Sequence, residues 1–378
     1  MHRLRQTGQV CARAPGCDTA AHADPLTHLP TKEMMKEVTL GLVGVGRIGV
    51  MHANNMMALN ETLRDRGVNV RLKLTDVATE HARSVAAGMG ADFVPSVAEL
   101  LSSGVDGLVI ATGTATHPEL IRAGVDAGIP VFCEKPVAMN VSDALPVLDY
   151  ISEHDGVVQI GHQRRFDAGY LEAKRAYQAG ELGWIHSLRA VTCDMTPPPV
   201  EFLATSGGLF RDCSVHDFDI LRWLTGREIV EVYAKGSNNG DPAIGEVGDV
   251  DTALALITFD DGTVGTVSAS RYNGAGHDVR LEIQGSRKTV MVGLDEKSAV
   301  ASVEAAVAFP DGDPHQTFAE RFDQAYRSEM VAFVELVLQE RGNPCTPEDA
   351  VAASRVADAA QESLATGVPV RVALKVSS

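Results

Sequence analysis

The chain has 378 residues, 45% of them apolar and 22% charged, with a formal net charge of −17. This length predicts two domains rather than one, and the composition is that of a globular enzyme with ample chain to bury a core. The acid excess argues against a nucleic-acid partner, and no apolar run approaches the roughly 20 residues that cross a bilayer.

Residues 1–36 show no apolar periodicity. They read as a disordered extension, or as sequence upstream of a true start near Met34 or Met35. Arg3, Arg5 and Arg13 precede any acidic residue and also admit a targeting peptide, but no amphipathic stretch follows and no secretory apolar core is present. Six cysteines are scattered with no C-x-x-C pair. A reduced, cytoplasmic protein is the simplest expectation.

From Val38 the pattern changes. VTLGLVG is a buried strand ending in glycine, and RIGVMHANNMMALNETLRD is a helix. RLKLTD is a second strand, TEHARSVAAGM a helix, DFVP a short third strand and SVAELLSS a short helix. GLVIAT, HPELIRAGVDAG and PVFCE follow as strand, helix and strand. Residues 141–154 form a helix, and GVVQIGH a sixth strand. This alternation predicts an α/β fold with a doubly wound parallel sheet, a Rossmann domain over residues 37–157. FDAGYLEAKRAYQAG is then helical. SLRAVTCDM, VEVYAKGS, TALALITFD, GTVGTVSASRY, DVRLEIQGS and KTVMVGL read as strands joined by turns such as DDG, interrupted by the helix SVHDFDILRWLTG. They predict a large, mostly antiparallel open sheet in a second α/β domain over residues 158–378. A long helix over FAERFDQAYRSEMVAFVELVLQE, a helix over residues 348–364 and a last strand VPVRVAL complete the chain.

Gly44-Val45-Gly46-Arg47-Ile48-Gly49 follows the first strand and opens the first helix. This is the G-x-G-x-x-G fingerprint in its required context. Gly44 permits the tight turn, Gly46 the approach of a pyrophosphate, and Gly49 close helix–strand packing. An ordinary glycine turn of an α/β domain has the same appearance, and the context favours the dinucleotide. Asp76 closes the second strand, 27 residues past Gly49. A carboxylate there would bind a ribose hydroxyl and repel a 2′-phosphate, which favours NAD over NADP. A strand-end capping aspartate is the plainer alternative, and nearby Arg47 and Arg71 leave NADP open. Thr112, His117, Glu134 and Lys135 follow the fourth and fifth strands, where loops line the ligand crevice. A helix cap by Thr116 explains the ATGTATHP stretch equally well.

Lys135 in Cys133-Glu134-Lys135-Pro136 can stabilise a developing alkoxide. In GGLFRDCSVHDFDILRWLTG, a helix beginning near Asp212 puts Asp212 and His216 on one face, with Asp219 a turn further on. A histidine flanked by carboxylates can be held in one tautomer and take a proton near neutral pH. An N-cap at Asp212 with a structural histidine is the bland alternative. His216, Asp217 and Asp219 could ligate a metal, but a compact Cys/His shell is lacking and no metal is expected.

GLVGVGRIG, CEKP, GHQRRFD and GGLFRDCSVHDFDILRWLTG, in that order, resemble the Gfo/Idh/MocA oxidoreductases, and most of all their inositol 2-dehydrogenase branch. SRYNGAGHDVRLEIQGS and RFDQAYRSEMVAFVE fit that branch too. The resemblance runs from about Val38 to the C-terminus. It implies a Rossmann domain, an open-sheet domain through which such chains often form tetramers, and NAD-dependent oxidation of a cyclitol hydroxyl to a ketone, as in myo-inositol to inosose. It implies a catalytic lysine at Lys135 and a catalytic aspartate and histidine at Asp212 and His216. It also places Arg165 and Asp167 of QRRFD close to cofactor and substrate, and His277 near the substrate. Close relatives often carry an aromatic residue at the position of His277, which leaves the polyol open. Residues 1–36 have no counterpart. A dehydrogenase or ketoreductase of another sugar or nucleotide sugar, and a catalytically silent dinucleotide-binding regulator, are the rival readings.

Overall fold

The computed structural model describes residues 35–373. The N-terminal extension expected over residues 1–36 therefore lies almost wholly outside the described residues. Six strands form a parallel sheet: β1 (Lys36–Val43), β2 (Val68–Thr75), β3 (Asp92–Phe93), β4 (Gly107–Ile110), β5 (Val131–Glu134) and β6 (Val158–Gly161). Helices α1 (Arg47–Thr62), α2 (Thr79–Met89), α3 (Val97–Ser102), α4 (His117–Asp126) and α5 (Val141–Glu153) connect them. Their spatial order is β3-β2-β1-β4-β5-β6, the doubly wound arrangement predicted. Leu40, Leu42, Leu108, Val109, Ile110 and Phe132 are fully buried, because helices cover both faces. The order reverses between β1 and β4, so a crevice opens at the carboxyl ends of those strands. The sheet extends to Gly161, past the domain boundary expected at residue 157.

The second half adds α6 (Ala168–Gln178), β7 (Ile185–Cys193), α7 (Val200–Ser206), α8 (Val215–Thr225), β8 (Ile229–Ser237), α9 (Pro242–Glu246), β9 (Thr252–Phe259), β10 (Val264–Ser270), β11 (Asp278–Gly285) and β12 (Thr289–Val292). It ends in α10 (Phe318–Arg321), α11 (Asp323–Val337), α12 (Pro347–Thr366) and β13 (Val370–Arg371). The seven-stranded sheet has the order β12-β11-β7-β10-β9-β8-β13. β7 and β10 pair in parallel and the other neighbours antiparallel. One face buries Ala253, Ala255, Ile257 and Phe259 of β9 in a core shared with α6, α8 and α12. The alternate residues of β9 look outward, and Leu254 and Leu256 are 58% and 50% exposed.

The long helix expected over residues 318–340 is two helices, broken at Phe322. Phe322 packs into the second sheet's core, whereas Met330, Phe333, Val334 and Leu336 of α11 pack with α1 in the core of the first. α11 itself bridges the two cores, since its Ala325 and Tyr326 pack with Phe322 in the second. α7 and α9 were not expected; they are short, and the periodicity of five to seven residues carries little signal. Among the described residues no helix is long and apolar enough to cross a membrane.

α11 also carries Glu329, which is 0% exposed with neither carboxylate oxygen hydrogen-bonded among the described residues. Burial, with the charge of Glu134, pushes its carboxyl well above the usual range. The native state therefore keeps Glu329 protonated where the unfolded chain ionises it, so its contribution to stability is full in acid and is lost as pH rises above the ordinary glutamate value. Glu329→Gln should raise Tm at pH 7.5 by about 2 °C or more and by clearly less at pH 4. Calorimetry at the two pH values measures the difference.

Candidate active site

The glycine loop is shaped by contacts that leave no room for side chains. Gly44 has φ +93°, and a Cβ on it would lie 2.7 Å from the Ala111 carbonyl oxygen. A Cβ on Gly49 would lie 2.0 Å from the Gly44 oxygen, so α1 could not pack this closely with any other residue. A Cβ on Gly46 meets nothing within 4 Å, which is open room above the loop. Gly46 starts α1 without a side-chain cap, and the first turn holds no acidic residue. The free N–H groups and positive end of this helix suit a pyrophosphate. Asp76 sits just past β2. Its Oδ2 accepts from the Val45 N–H at 2.8 Å and its Oδ1 from the Ala78 N–H at 2.8 Å. The capping alternative is thus part of its role, and each oxygen keeps lone-pair capacity for a ribose hydroxyl. Ile48 is partly buried, and Arg47 is exposed and lies over the Phe318 ring at 5.2 Å. Arg71 faces Glu37 and Asp92, each at 3.6 Å, five residues before Asp76 and away from the crevice.

At the end of β4, Thr112 Oγ1 lies 2.7 Å from Thr116 Oγ1. Thr116 precedes α4 but its hydroxyl donates to the Gly113 carbonyl, so it does not cap the helix. His117, expected at the cofactor, is 1% exposed, with Nδ1 2.7 Å from the Pro136 oxygen and Nε2 3.2 Å from the Thr112 oxygen. Burial lowers its pKa, so the ring is neutral with one N–H, which can donate to only one of these two crevice-loop carbonyls. Glu134 ends β5 with Oε1 2.6 Å from His52 Nε2. Burial alone would raise its pKa, but the His52 hydrogen bond and the charges of His52 and Lys135 hold it below the usual carboxylate value.

Lys135 reaches from β5 across to the second half of the chain. Its Nζ donates to the main-chain carbonyl of Asp212 at 2.9 Å and lies 3.8 Å from Asp212 Oδ1. Asp212 lies in a π-helical turn, Phe210–Ser214, that runs directly into α8. Such widened turns accompany functional sites. The expectation that Asp212 and Asp219 flank His216 is corrected here. Asp212 Oδ2 accepts from Arg271 Nη1 at 2.6 Å, and Asp219 accepts from Arg165 at 2.9 and 2.5 Å. The residue count assumed a regular α-helix and had no view of the two arginines. His216 faces the same cleft with its Nδ1 buried and bonded to nothing among the described residues. Burial, then the positive charges of Lys135 and Arg164, put its pKa well below the ordinary histidine value. His216 is therefore a neutral imidazole at neutral pH, able to accept a proton.

Arg165 and Asp167 are each engaged by groups of the protein. Besides Asp219, the Arg165 guanidinium donates to Asp349 at 2.9 Å and to the Pro344 carbonyl at 3.0 Å. It is buried, and four of its five N–H donors are engaged within the protein. Asp167 caps α6 through the Gly169 and Tyr170 N–H groups and pairs with Arg321 at 2.8 Å. His277 is buried, with Nδ1 3.3 Å from Asp194 Oδ1.

Sequence reasoning missed Arg271 and Asp194. Arg271 is 0% exposed and bridges Asp212 to Asp249, the latter at 3.3 Å. Asp194 Oδ2 lies 3.9 Å from Arg271 Nη1. Asp194 follows β7 and Arg271 follows β10, and the parallel register of those strands, continued by the Asp194 N–H to the Ser270 carbonyl at 2.9 Å, sets them side by side. A buried charge at a strand end was the available signal, but the pairing of β7 with β10 is not readable from the chain.

Residues 38–162 match the oxidoreductase family's NAD-binding Rossmann fold, and residues 174–372 its C-terminal alpha/beta domain. The chain is 37% identical over 341 residues to a myo-inositol dehydrogenase of Streptomyces leeuwenhoekii, covering 88% of this chain and 99% of that protein. The crystal structure of a myo-inositol dehydrogenase from Corynebacterium glutamicum superimposes with a TM-score of 0.80 at 30% identity, covering 89% of this chain and 99% of that one. A scyllo-inositol dehydrogenase from Lactobacillus casei, solved with NAD(H) and scyllo-inositol, gives 0.78 at 29% identity over 89% and 99% of the two chains. The glycine loop, the uncapped start of α1 and the cleft between Lys135 and His216 agree with these matches: the chain belongs to the Gfo/Idh/MocA oxidoreductase family, with an NAD-binding Rossmann fold followed by the family's C-terminal alpha/beta domain.

Proposed function

We propose that this chain oxidises a ring hydroxyl of a cyclitol, myo-inositol or a close relative, to a ketone with NAD. The observation that carries this reading is the bond from the Lys135 ammonium to the turn leading into α8, which sets a cation and a neutral imidazole on one cleft beside the glycine loop. Gly44, Gly46, Arg47, Ile48, Gly49, Asp76 and Thr112 serve the cofactor, with Glu134 and His117 holding the loops around it. When bound there, NAD would supply the hydride acceptor. His216 takes the hydroxyl proton, and Lys135 stabilises the negative charge growing on that oxygen. Asp212 keeps Lys135 in place and is itself held by Arg271. His277, with Asp194, forms the far wall at the substrate. The first sheet together with α11 serves the cofactor, and the second sheet serves the substrate. A dehydrogenase of another sugar is the second reading, and His277 favours it, because an imidazole beside the Asp194 carboxylate presents polar groups that an aromatic ring does not.

The outward face of the second sheet supports self-association. Tyr233, Leu254, Leu256, Val264 and Met291 share it by register, beside the Arg189–Glu282 pair at 2.5 Å. Leu254, Leu256, Val264 and Met291 are all exposed large apolar side chains, and their grouping on one face marks an interaction surface. We propose a homo-oligomer, a tetramer or dimer, built on this face. Light scattering should give a mass above the monomer, and the double variant Leu254→Asp, Leu256→Asp should lower it; a monomeric wild type refutes the assembly.

Cofactor reduction followed by absorbance across a panel of cyclitols and sugars, with NAD and NADP in parallel, tests the activity. Turnover with a cyclitol and NAD is expected. Lys135→Met and His216→Gln should each lower kcat by about 10²-fold or more while NAD binding persists. Full activity in both would remove the assignment, and no turnover with any member would favour a silent regulator.

The depressed pKa of His216 has a definite sign in kinetics. The imidazole must be neutral to accept the proton, and it stays neutral as pH falls through 6.5. The profile of kcat/KM for alcohol oxidation should therefore show no acid limb at or above pH 6.5, since that limb reports the free enzyme's base.

A further inference from the structure

His216 reaches the cleft without the partner that ordinarily fixes a catalytic imidazole. Its Nδ1 has no hydrogen bond among the described residues, and the two nearby carboxylates are held by Arg271 and Arg165. A ring with neither nitrogen bonded to the protein is free to rotate about its Cβ–Cγ bond and to exchange tautomers, and either movement withdraws the accepting lone pair from a substrate. The side chain that does meet it is His162. The two ring centroids lie 5.7 Å apart with the planes at 79°, an edge-to-face contact.

His162 is placed to act as a fixed wall. It follows β6 and begins the turn over Gln163–Phe166. Two buried ion pairs bind that turn to α8: Arg164 to Asp217 at 2.5 Å and Arg165 to Asp219 at 2.5 Å. Asp217 is the residue after His216, so the segments carrying the two rings are cross-linked within one or two residues of each ring. His162 Nδ1 lies 3.7 Å from Asp219 Oδ2, too far for a hydrogen bond, so it is burial, at 1% exposure, and the cross-linked backbone that confine its ring. Burial, with the cations Arg165 and Lys135, outweighs the Asp219 carboxylate and holds the His162 pKa down to about 4. At neutral pH His162 thus places no formal charge against its neighbour.

We propose that His162 is a positioning residue for the dehydrogenase reaction, its ring fixing the orientation of the His216 imidazole in the place a carboxylate would otherwise take. The inference rests on the dehydrogenase reading above. A proton relay through His162 is the competing role, and a phenylalanine separates the two, because it keeps the wall and carries no proton.

The experiment compares wild type, His162→Phe, His162→Leu and His162→Ala, with kcat and KM measured for the best cyclitol of the panel and for NAD. Tm and quenching of protein fluorescence by NAD report folding and cofactor binding. His162→Phe should keep kcat within about threefold, and His162→Ala should lose about tenfold or more in kcat with KM for NAD nearly unchanged, since loss of orientation alone carries costs of this size. His162→Leu should fall between them, and its deficit against Phe decides the matter if the alanine variant does not fold. Wild-type kcat in folded His162→Ala, or equal to Phe in His162→Leu, overturns the inference. So does a loss in His162→Phe as deep as in the smaller variants, which would assign His162 to proton transfer. A wild type silent toward the whole panel overturns the dehydrogenase reading and this inference with it; an active wild type with an unimpaired alanine variant overturns this inference alone.

Discussion

Two buried guanidinium–carboxylate pairs decide where the chemistry sits. Arg164–Asp217 and Arg165–Asp219 fasten the segment leaving the first sheet to the helix that carries His216. All four side chains are buried, and each pair is supported further: Thr192 donates to Asp217, and Asp349 and the Pro344 carbonyl accept from Arg165. Buried pairs of this kind add little net stability compared with apolar packing, but removing one partner strands a charge, at about 3–5 kcal/mol. Their value here is register. With them in place, the helix of the second half can stand only where Lys135 of the first half reaches its opening turn.

The charge of the cleft contradicts the charge of the chain. The protein carries a formal −17, yet the formal charges that act most on His216 are the cations Lys135 and Arg164. Net charge describes the solvated surface and long-range steering, whereas a buried imidazole responds to the few groups around it and to its lost hydration. The cations keep His216 unprotonated, and the same field suits an oxygen gaining negative charge. Arg271 is central to this arrangement because one fully buried guanidinium holds Asp212, approaches Asp194 and meets Asp249. It ties the ends of the central strands of the second sheet to the turn under Lys135.

The cofactor loop shows how one residue can satisfy two readings. Asp76 braces the glycine loop through Val45 and its own turn through Ala78, and still has acceptor capacity. The loop is thus preshaped by the protein before any phosphate arrives.

Local pattern carried much of this far. The alternation of strands and helices determined the parallel sheet, the spacing of Gly44, Gly46 and Gly49 determined the turn, and the order of the lysine and histidine elements pointed to Lys135 and His216, because each of these signals lies within a few contiguous residues. What Asp212, Arg165, His117 and His277 touch was not legible, and neither were the roles of Arg271, Asp194 and His162. Their partners lie tens of residues or more away in most cases, brought near by the pairing of β7 with β10 and by the packing of α8 on the exit from β6. Sequence records the periodicity that makes an element; only tertiary packing chooses, among many equally charged candidates, which carboxylate meets which guanidinium, since that choice depends on distance and burial rather than on neighbours along the chain.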